Sequence, residues 1–241
     1  MSKTDQLISI LKAYQKEFHP LVTFDAAREK LLPLDFTENN KEISPDILSH
    51  TNQFIHYINE KLKTAGAKYG IGGYNEYRTV YSRSKVFNAK EPGEEPRRLH
   101  LGIDIWGKPY TAVMAPLNGI VHSFAFNDNF GDYGATIILT HQLDGFTLYT
   151  LYGHLSLNSI KNLNGGERIE KGDVFAEFGI PMENGHWPPH LHFQIIIDLE
   201  NWSGDYPGVC KFSEREKYLA NCPDPDFILQ MNQYIWLVKQ I

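Results

Sequence analysis

The sequence predicts an α+β chain: a core of mainly antiparallel β-sheet with helices before and after it. Three observations carry this. Between about Arg97 and Asp198, short runs rich in β-branched and aromatic residues are punctuated by the turn formers Asn118-Gly119, Asp144-Gly145, Asn164-Gly-Gly166 and Asn184-Gly185. Upstream, Leu7, Ile8, Leu11, Tyr14 and Phe18 recur at helical spacing. Downstream, 213–219 and 225–241 read as helical again. The expected organisation is an N-terminal helical region and connector over 1–95, a β-rich domain over 96–200 and a C-terminal helical appendage over 201–241.

The elements follow in chain order. The first apolar stripe makes a packing helix on an otherwise polar segment. A second helix is expected to open at Ser44, a good N-cap, with Pro45 at its first position, and to close at Gly66. Ile47, Thr51, Phe54, Ile55, Ile58 and Leu62 would form its buried face, while His50 and His56 carry no assigned chemistry. A Gly- and Tyr-rich stretch, Tyr69 to Arg78, comes next, then a polar connector, Asn88 to Pro96. In the β domain the clearest hairpin pairs 135–141 with 146–152 around Asp144-Gly145.

Composition narrows the function. A net charge of −6 and a pI near 5.9 leave no basic footprint for a nucleic-acid backbone. No stretch approaches the roughly 18 apolar residues of a membrane span. The N-terminus carries only a brief apolar cluster before Lys12, Lys16 and Glu17, so no secretory leader is expected and the location read from the sequence is cytoplasmic. Cys210 and Cys222 lie outside any CxxC pattern and are expected as free buried thiols, not metal ligands.

The histidines point to chemistry. In His190-Leu-His192 a strand would set both imidazoles on one face, about 7 Å apart, so one metal, or one metal and one base, could use both. In His100-Leu-Gly-Ile-Asp104 an extended chain would hold the two groups about 13 Å apart, so sharing one ion requires a bend, which Gly102 permits. Two imidazoles and a carboxylate with a fourth position for water suit an open catalytic zinc site. Either pattern alone is commonplace in structural strands. Their conjunction, with Tyr152-Gly-His154-Leu between them, marks a site. Tyr152, two positions before His154, would share its face and could donate to an oxyanion, with core packing as the plain alternative. His141 is expected to be structural, and His186 to line a cleft if it has any role.

These residues resemble the lysostaphin-type zinc metallopeptidases, the M23 or LytM-like family, whose signature is His-x-x-x-Asp followed by His-x-His. The likeness extends to Ala115-Pro-Leu-Asn-Gly-Ile-Val121, Gly131-Asp-Tyr-Gly134, Tyr152-Gly-His-Leu-Ser156, Lys171-Gly172 and Pro189-His-Leu-His-Phe193, covering roughly Leu99 to Ile197. The resemblance implies a lysostaphin-like sandwich and one Zn2+ per chain held by His100, Asp104 and His192, with His154 and His190 as catalytic histidines. It further implies hydrolysis of peptide bonds, with peptidoglycan-derived peptides as the substrate class. Trp187-Pro-Pro189, with Asp205-Tyr-Pro-Gly208 and Cys222-Pro-Asp-Pro225, also resembles the M23-like domain of phosphotransferase/aminotransferase fusion proteins. Its bulk is expected to narrow the cleft. Two alternatives stand beside the peptidase: a non-catalytic LytM-like binding module, and a cytoplasmic metal-dependent enzyme acting on a small metabolite.

Overall fold

The computed structural model describes residues 1–235, so the last part of the helix expected over 225–241 lies outside the described residues. Helix α1, Lys3–Ala13, is opened by a reciprocal cap in which Ser2 Oγ accepts from the Asp5 amide and the Asp5 carboxylate accepts from the Ser2 amide. The helix expected over 44–66 is two helices, α2 (Pro45–Ser49) and α3 (Thr51–Ala65), parted at the extended residue His50 and closed by left-handed Gly66. Phe54, Ile58 and Leu62 are buried on α3, and Leu48 replaces Ile47 as the buried residue of α2.

The N-terminal region also supplies strands, β1 (Leu31–Leu34) and β2 (Tyr69–Gly72). Strands β3 (Leu99–His100), β4 (Ile103–Trp106), β5 (Ala112–Met114), β6 (Gly119–Asn127), β7 (Gly134–Leu143) and β8 (Phe146–Leu155) follow. A short helix α4 (Leu157–Lys161) leads to β9 (Arg168–Ile169), β10 (Val174–Glu177), β11 (His190–Ile196) and β12 (Val209–Cys210). Helices α5 (Arg215–Asn221) and α6 (Asp226–Leu229) form the C-terminal part. Among the described residues no helix is long and apolar enough to cross a membrane.

Eight strands form one sheet in the order β1-β2-β4-β11-β8-β7-β6-β9, with β5–β10 and β12–β3 as two-stranded companions. The pairing is antiparallel except for β1 with β2. The hairpin closes as the sequence predicts: Leu143 faces Phe146 across Asp144 and Gly145, both with positive φ as a tight primed turn requires.

Period-2 alternation divides the two faces of the central strands. Leu191, Phe193 and Ile195 of β11 and Ile103 and Ile105 of β4 enter the main core with α1 and β5–β10. His190, His192 and Gln194 of β11 and Asp104 and Trp106 of β4 take the other face, which the helices α2 and α3 and the C-terminal segment partly cover. That second face holds the site.

Candidate metal centre and active-site cleft

Strand register sets the first contact. In the antiparallel β4–β11 pair, His192 lies directly opposite Asp104 and His190 opposite Trp106. His100 reaches the same point because the chain breaks between β3 and β4 at Leu101-Gly102, as the sequence requires. Gly102 has a second reason to be glycine: a Cβ there would sit 2.5 Å from the His192 ring and 2.7 Å from the Phe193 carbonyl.

Three atoms converge. His100 Nε2 is 3.0 Å from His192 Nδ1, and Asp104 Oδ1 is 3.2 Å from the first and 3.1 Å from the second. All three residues are buried. Each ligand's other polar atom is engaged elsewhere. His100 Nδ1–H donates to the Gly73 carbonyl at 2.8 Å, and Asp104 Oδ2 accepts from Arg78 Nη1. His192 Nε2–H donates to Gln194 Oε1 at 3.0 Å, and the Gln194 amide is oriented by donating from Nε2 to the Pro207 carbonyl and to Cys222 Sγ.

With those outer bonds made, His100 Nε2 and His192 Nδ1 are the nitrogens that face the carboxylate oxygen. Burial, then the nearby Arg78 charge, pushes His100 down to about 3. Burial alone would raise the Asp104 carboxyl, but the imidazoles facing Oδ1 and the Arg78 guanidinium on Oδ2 hold it well below the usual carboxylate range. Three buried ligand-type atoms converging in one triangle form a donor set that could hold a cation. Tetrahedral zinc, with bonds of about 2.0–2.1 Å, would space its ligand atoms about 3.3 Å apart. The donor set therefore fits zinc, with each outer atom tied off as metal-ligating groups generally are.

His154 and His190 lie beside this triangle with their rings 4.1 Å apart. The His154 ring is 6.3 Å from that of His192. Nδ1–H donates to the Asn184 carbonyl in His154 and to the Pro188 carbonyl in His190, each at 2.8 Å. That leaves each Nε2 as an acceptor, and among the described residues neither has a partner. Burial, then the neighbouring histidines, keeps His154 well below its ordinary value, and burial takes His190 down to about 4, so both rings are neutral near pH 7. His190 is further held by stacking on Trp106 at 3.8 Å and 10°.

Tyr152 is not in this cleft. It is fully buried between Phe175 and Phe193, and its hydroxyl accepts from Thr150. His154 has φ +63, and this left-handed turn swings its ring off the core face that Tyr152 occupies. The tyrosine that does reach the centre is Tyr133, whose hydroxyl is 3.3 Å from His192 Nε2. A Cβ at Gly208 or Gly153 would strike its ring or hydroxyl, so two glycines make its place.

His141 is structural, bonded to the Asn118 carbonyl and to Thr150 Oγ1. His186 stacks on Phe130 and does not line the cleft. Cys210 and Cys222 are free and buried.

The cleft is a cavity of about 430 Å³. Its floor is Asp104, His154, His190 and His192, and Trp187 forms a wall. Connector residues Lys90 and Glu94 and the C-terminal Asp205 and Lys211 line its rim, with Glu94 and Lys211 ion-paired. The Arg83 guanidinium backs Trp187 at 4.7 Å and also faces Phe130 and Phe54, while donating to Thr51.

A mainly antiparallel sheet thus carries a buried His/Asp/His triangle that could hold a metal ion, with two further histidines at its edge. Residues 98–203 match the model of peptidase family M23. It is 30% identical over 203 residues to the L-Ala--D-Glu endopeptidase of Bacillus subtilis, covering 78% of this chain and 59% of that protein. It is 27% identical over 182 residues to an uncharacterized metalloprotease of Haemophilus influenzae, covering 72% of this chain and 36% of that one. The chain thus spans between a third and three-fifths of the length of these curated relatives. Among solved structures it is similar to the catalytic domain of lysostaphin from Staphylococcus simulans, at 19% identity and a TM-score of 0.35, over 68% of this chain and 96% of that one.

Proposed function

We propose that this protein is a zinc-dependent endopeptidase with one ion held by His100 Nε2, Asp104 Oδ1 and His192 Nδ1, acting on peptides of the peptidoglycan type. The observation that carries the reading is the triangle of three buried ligand-type atoms, 3.0 to 3.2 Å apart. The substrate class rests on the match of residues 98–203 to peptidase family M23 and on the likeness to an L-Ala--D-Glu endopeptidase.

When bound, zinc supplies Lewis-acid polarisation of the scissile carbonyl and lowers the pKa of water toward neutrality. The chain's own residues do the rest. His154 and His190 each present a neutral Nε2 to the cleft, with the ring fixed by the bond from Nδ1–H to a backbone carbonyl. Such a nitrogen can take a proton from the attacking water, hold it while its charged ring donates to the oxyanion, and return it to the departing amine. Trp106 and Trp187 flank this pair.

The intact triangle and the open cleft favour catalysis over a purely binding module. Incubation with cell-wall peptides, read by mass spectrometry for new amino termini, tests the reading. Cleavage that stops with a chelator, returns with zinc and is absent from His154→Ala is expected. Near-stoichiometric zinc without cleavage of any wall peptide would reject the substrate class, and a folded wild-type protein that takes up no zinc would reject the metal centre.

A further inference from the structure

Resting on that zinc reading, we infer that Arg78 is the positioning residue that holds Asp104 as a one-oxygen ligand, so that the centre is completed by a segment outside residues 98–203. Arg78 is 1% exposed, and each of its three side-chain nitrogens is hydrogen-bonded. Nη1 donates to Asp104 Oδ2 and, at 3.3 Å, to the Tyr81 hydroxyl. Nε donates to Glu76 at 2.6 Å, and Nη2 to the Gly73 carbonyl at 3.1 Å. The two oxygens of Asp104 are thereby divided: Oδ1 faces the histidines and Oδ2 faces the guanidinium.

The surroundings are shaped for this contact. A Cβ at Gly72 would lie 2.7 Å from Arg78 Nη2, so only glycine leaves the room. The Phe36 and Tyr81 rings cover the guanidinium plane at 5.2 and 5.9 Å. Segment 75–78 is bound along β3 through Asn75 N to His100 O, His100 N to Glu76 O and Arg78 N to Arg98 O, each at 2.8 to 2.9 Å. Gly73 O, which accepts from both Arg78 and His100, ties the ligand His100 and the guanidinium that holds Asp104 to the same turn.

Charge alone does not explain the arrangement. A bare cation this close to a dication would weaken its binding. Glu76, ion-paired to the same guanidinium, cancels that charge. What the pair adds is geometry, because the planar guanidinium offers its donors in a rigid fork, whereas a lysine is a flexible point charge. A carboxylate left free could turn both oxygens to the metal and fill the position that substrate or water needs.

The test uses metal-free full-length protein, titrated with zinc against a chromophoric chelator. Compared are wild type, Arg78→Lys and the charge-neutral double variant Arg78→Met/Glu76→Gln, with circular dichroism to certify folding. Both folded variants are expected to bind zinc about 10- to 100-fold more weakly. Their cobalt forms should show changed visible absorption as the coordination of Asp104 alters. Affinity within about twofold of wild type in a folded variant would overturn the inference, since loss of an orienting contact typically costs tenfold or more. In a crystal of the zinc-loaded wild type, Oδ1 alone is expected within about 2.0–2.2 Å of the ion, and both oxygens at that distance would overturn it. This crystal arm decides alone should neither variant fold. A wild type that binds no zinc removes the metal reading itself, whereas equal binding by wild type and variants removes only the role of Arg78.

Discussion

The strands within 98–203 and the stretches flanking them contribute different things to the same centre. The strands supply the converging atoms: His100 and Asp104 around a break in the chain, and His192 across the β4–β11 register. The flanks hold those atoms from behind. Gly73 and Arg78 secure His100 and Asp104, and Pro207 and Cys222 orient the Gln194 amide that secures His192. In the proposed centre, ligand identity is a property of residues 98–203, whereas ligand orientation also depends on chain outside them. This is the general division between inner and outer contacts of a metal site, here mapped onto separate parts of one sequence.

The comparison can be broken most forcefully at Asp104. Asp104→Ala removes a ligand and also leaves the buried Arg78 cation without one of its two carboxylates, so we expect loss of bound zinc by elemental analysis and a stability loss of about 3 kcal/mol or more by urea denaturation. If the variant is as stable as wild type, strand and flank are not coupled at this residue.

His141 is the control on the same sheet, remote from the centre's ligands. Burial pushes it down to about 4. Its folded value lies below the unfolded one, so as pH falls the unfolded chain takes up the proton first and stability is lost. The stability is fully present above about 6.5 and drains away as pH drops toward 4. Between pH 7.5 and 5 this amounts to about 2 kcal/mol in wild type that a His141→Gln variant should not lose. Urea midpoints at the two pH values measure it, and equal acid sensitivity in both proteins would remove His141 as the source.

Gln194→Leu tests the flank-held ligand on the strand side. It deprives His192 Nε2–H of its acceptor, and zinc affinity is expected to fall about tenfold by chelator competition. Unchanged affinity would mean that Tyr133 alone suffices to hold the ring. The smallest effect is expected at Tyr152→Phe, which removes a buried hydroxyl bonded to Thr150 far from the cleft. About 1 kcal/mol of stability should go, with hydrolysis unaffected. A large loss of turnover there would return Tyr152 to the site.

The β hairpin, the break at Gly102 and the clustering of histidines were legible because each depends on residues close in sequence: a turn dipeptide, a glycine between two ligands, a spacing of two along a strand. The strands β1 and β2 were hidden, and the N-terminal region read as helical around them. β1 contains Pro33, tolerated because β1 lies at the edge of the sheet, and β2 is Tyr-Gly-Ile-Gly, with little intrinsic preference for a strand. Tyr152 was misplaced because alternation was assumed to continue to His154, where the backbone turns left-handed. Tyr133 had only its place in the Gly-Asp-Tyr-Gly run to single it out.

By itself the sequence determined the α+β class, the hairpin register and the free cysteines, since these follow from local periodicity, turn chemistry and cysteine spacing, while the five residues proposed for a hydrolytic site rest on the resemblance of their motifs to a family signature. Only the tertiary structure decided which nitrogen of each histidine faces the centre, which face His154 takes and what Arg78 holds. Those outcomes depend on partners 26 to 92 residues apart along the chain, such as Arg78 with Asp104 and His100 with His192. A hydrogen bond between such partners is set by the packing that brings them together and leaves no trace in local sequence.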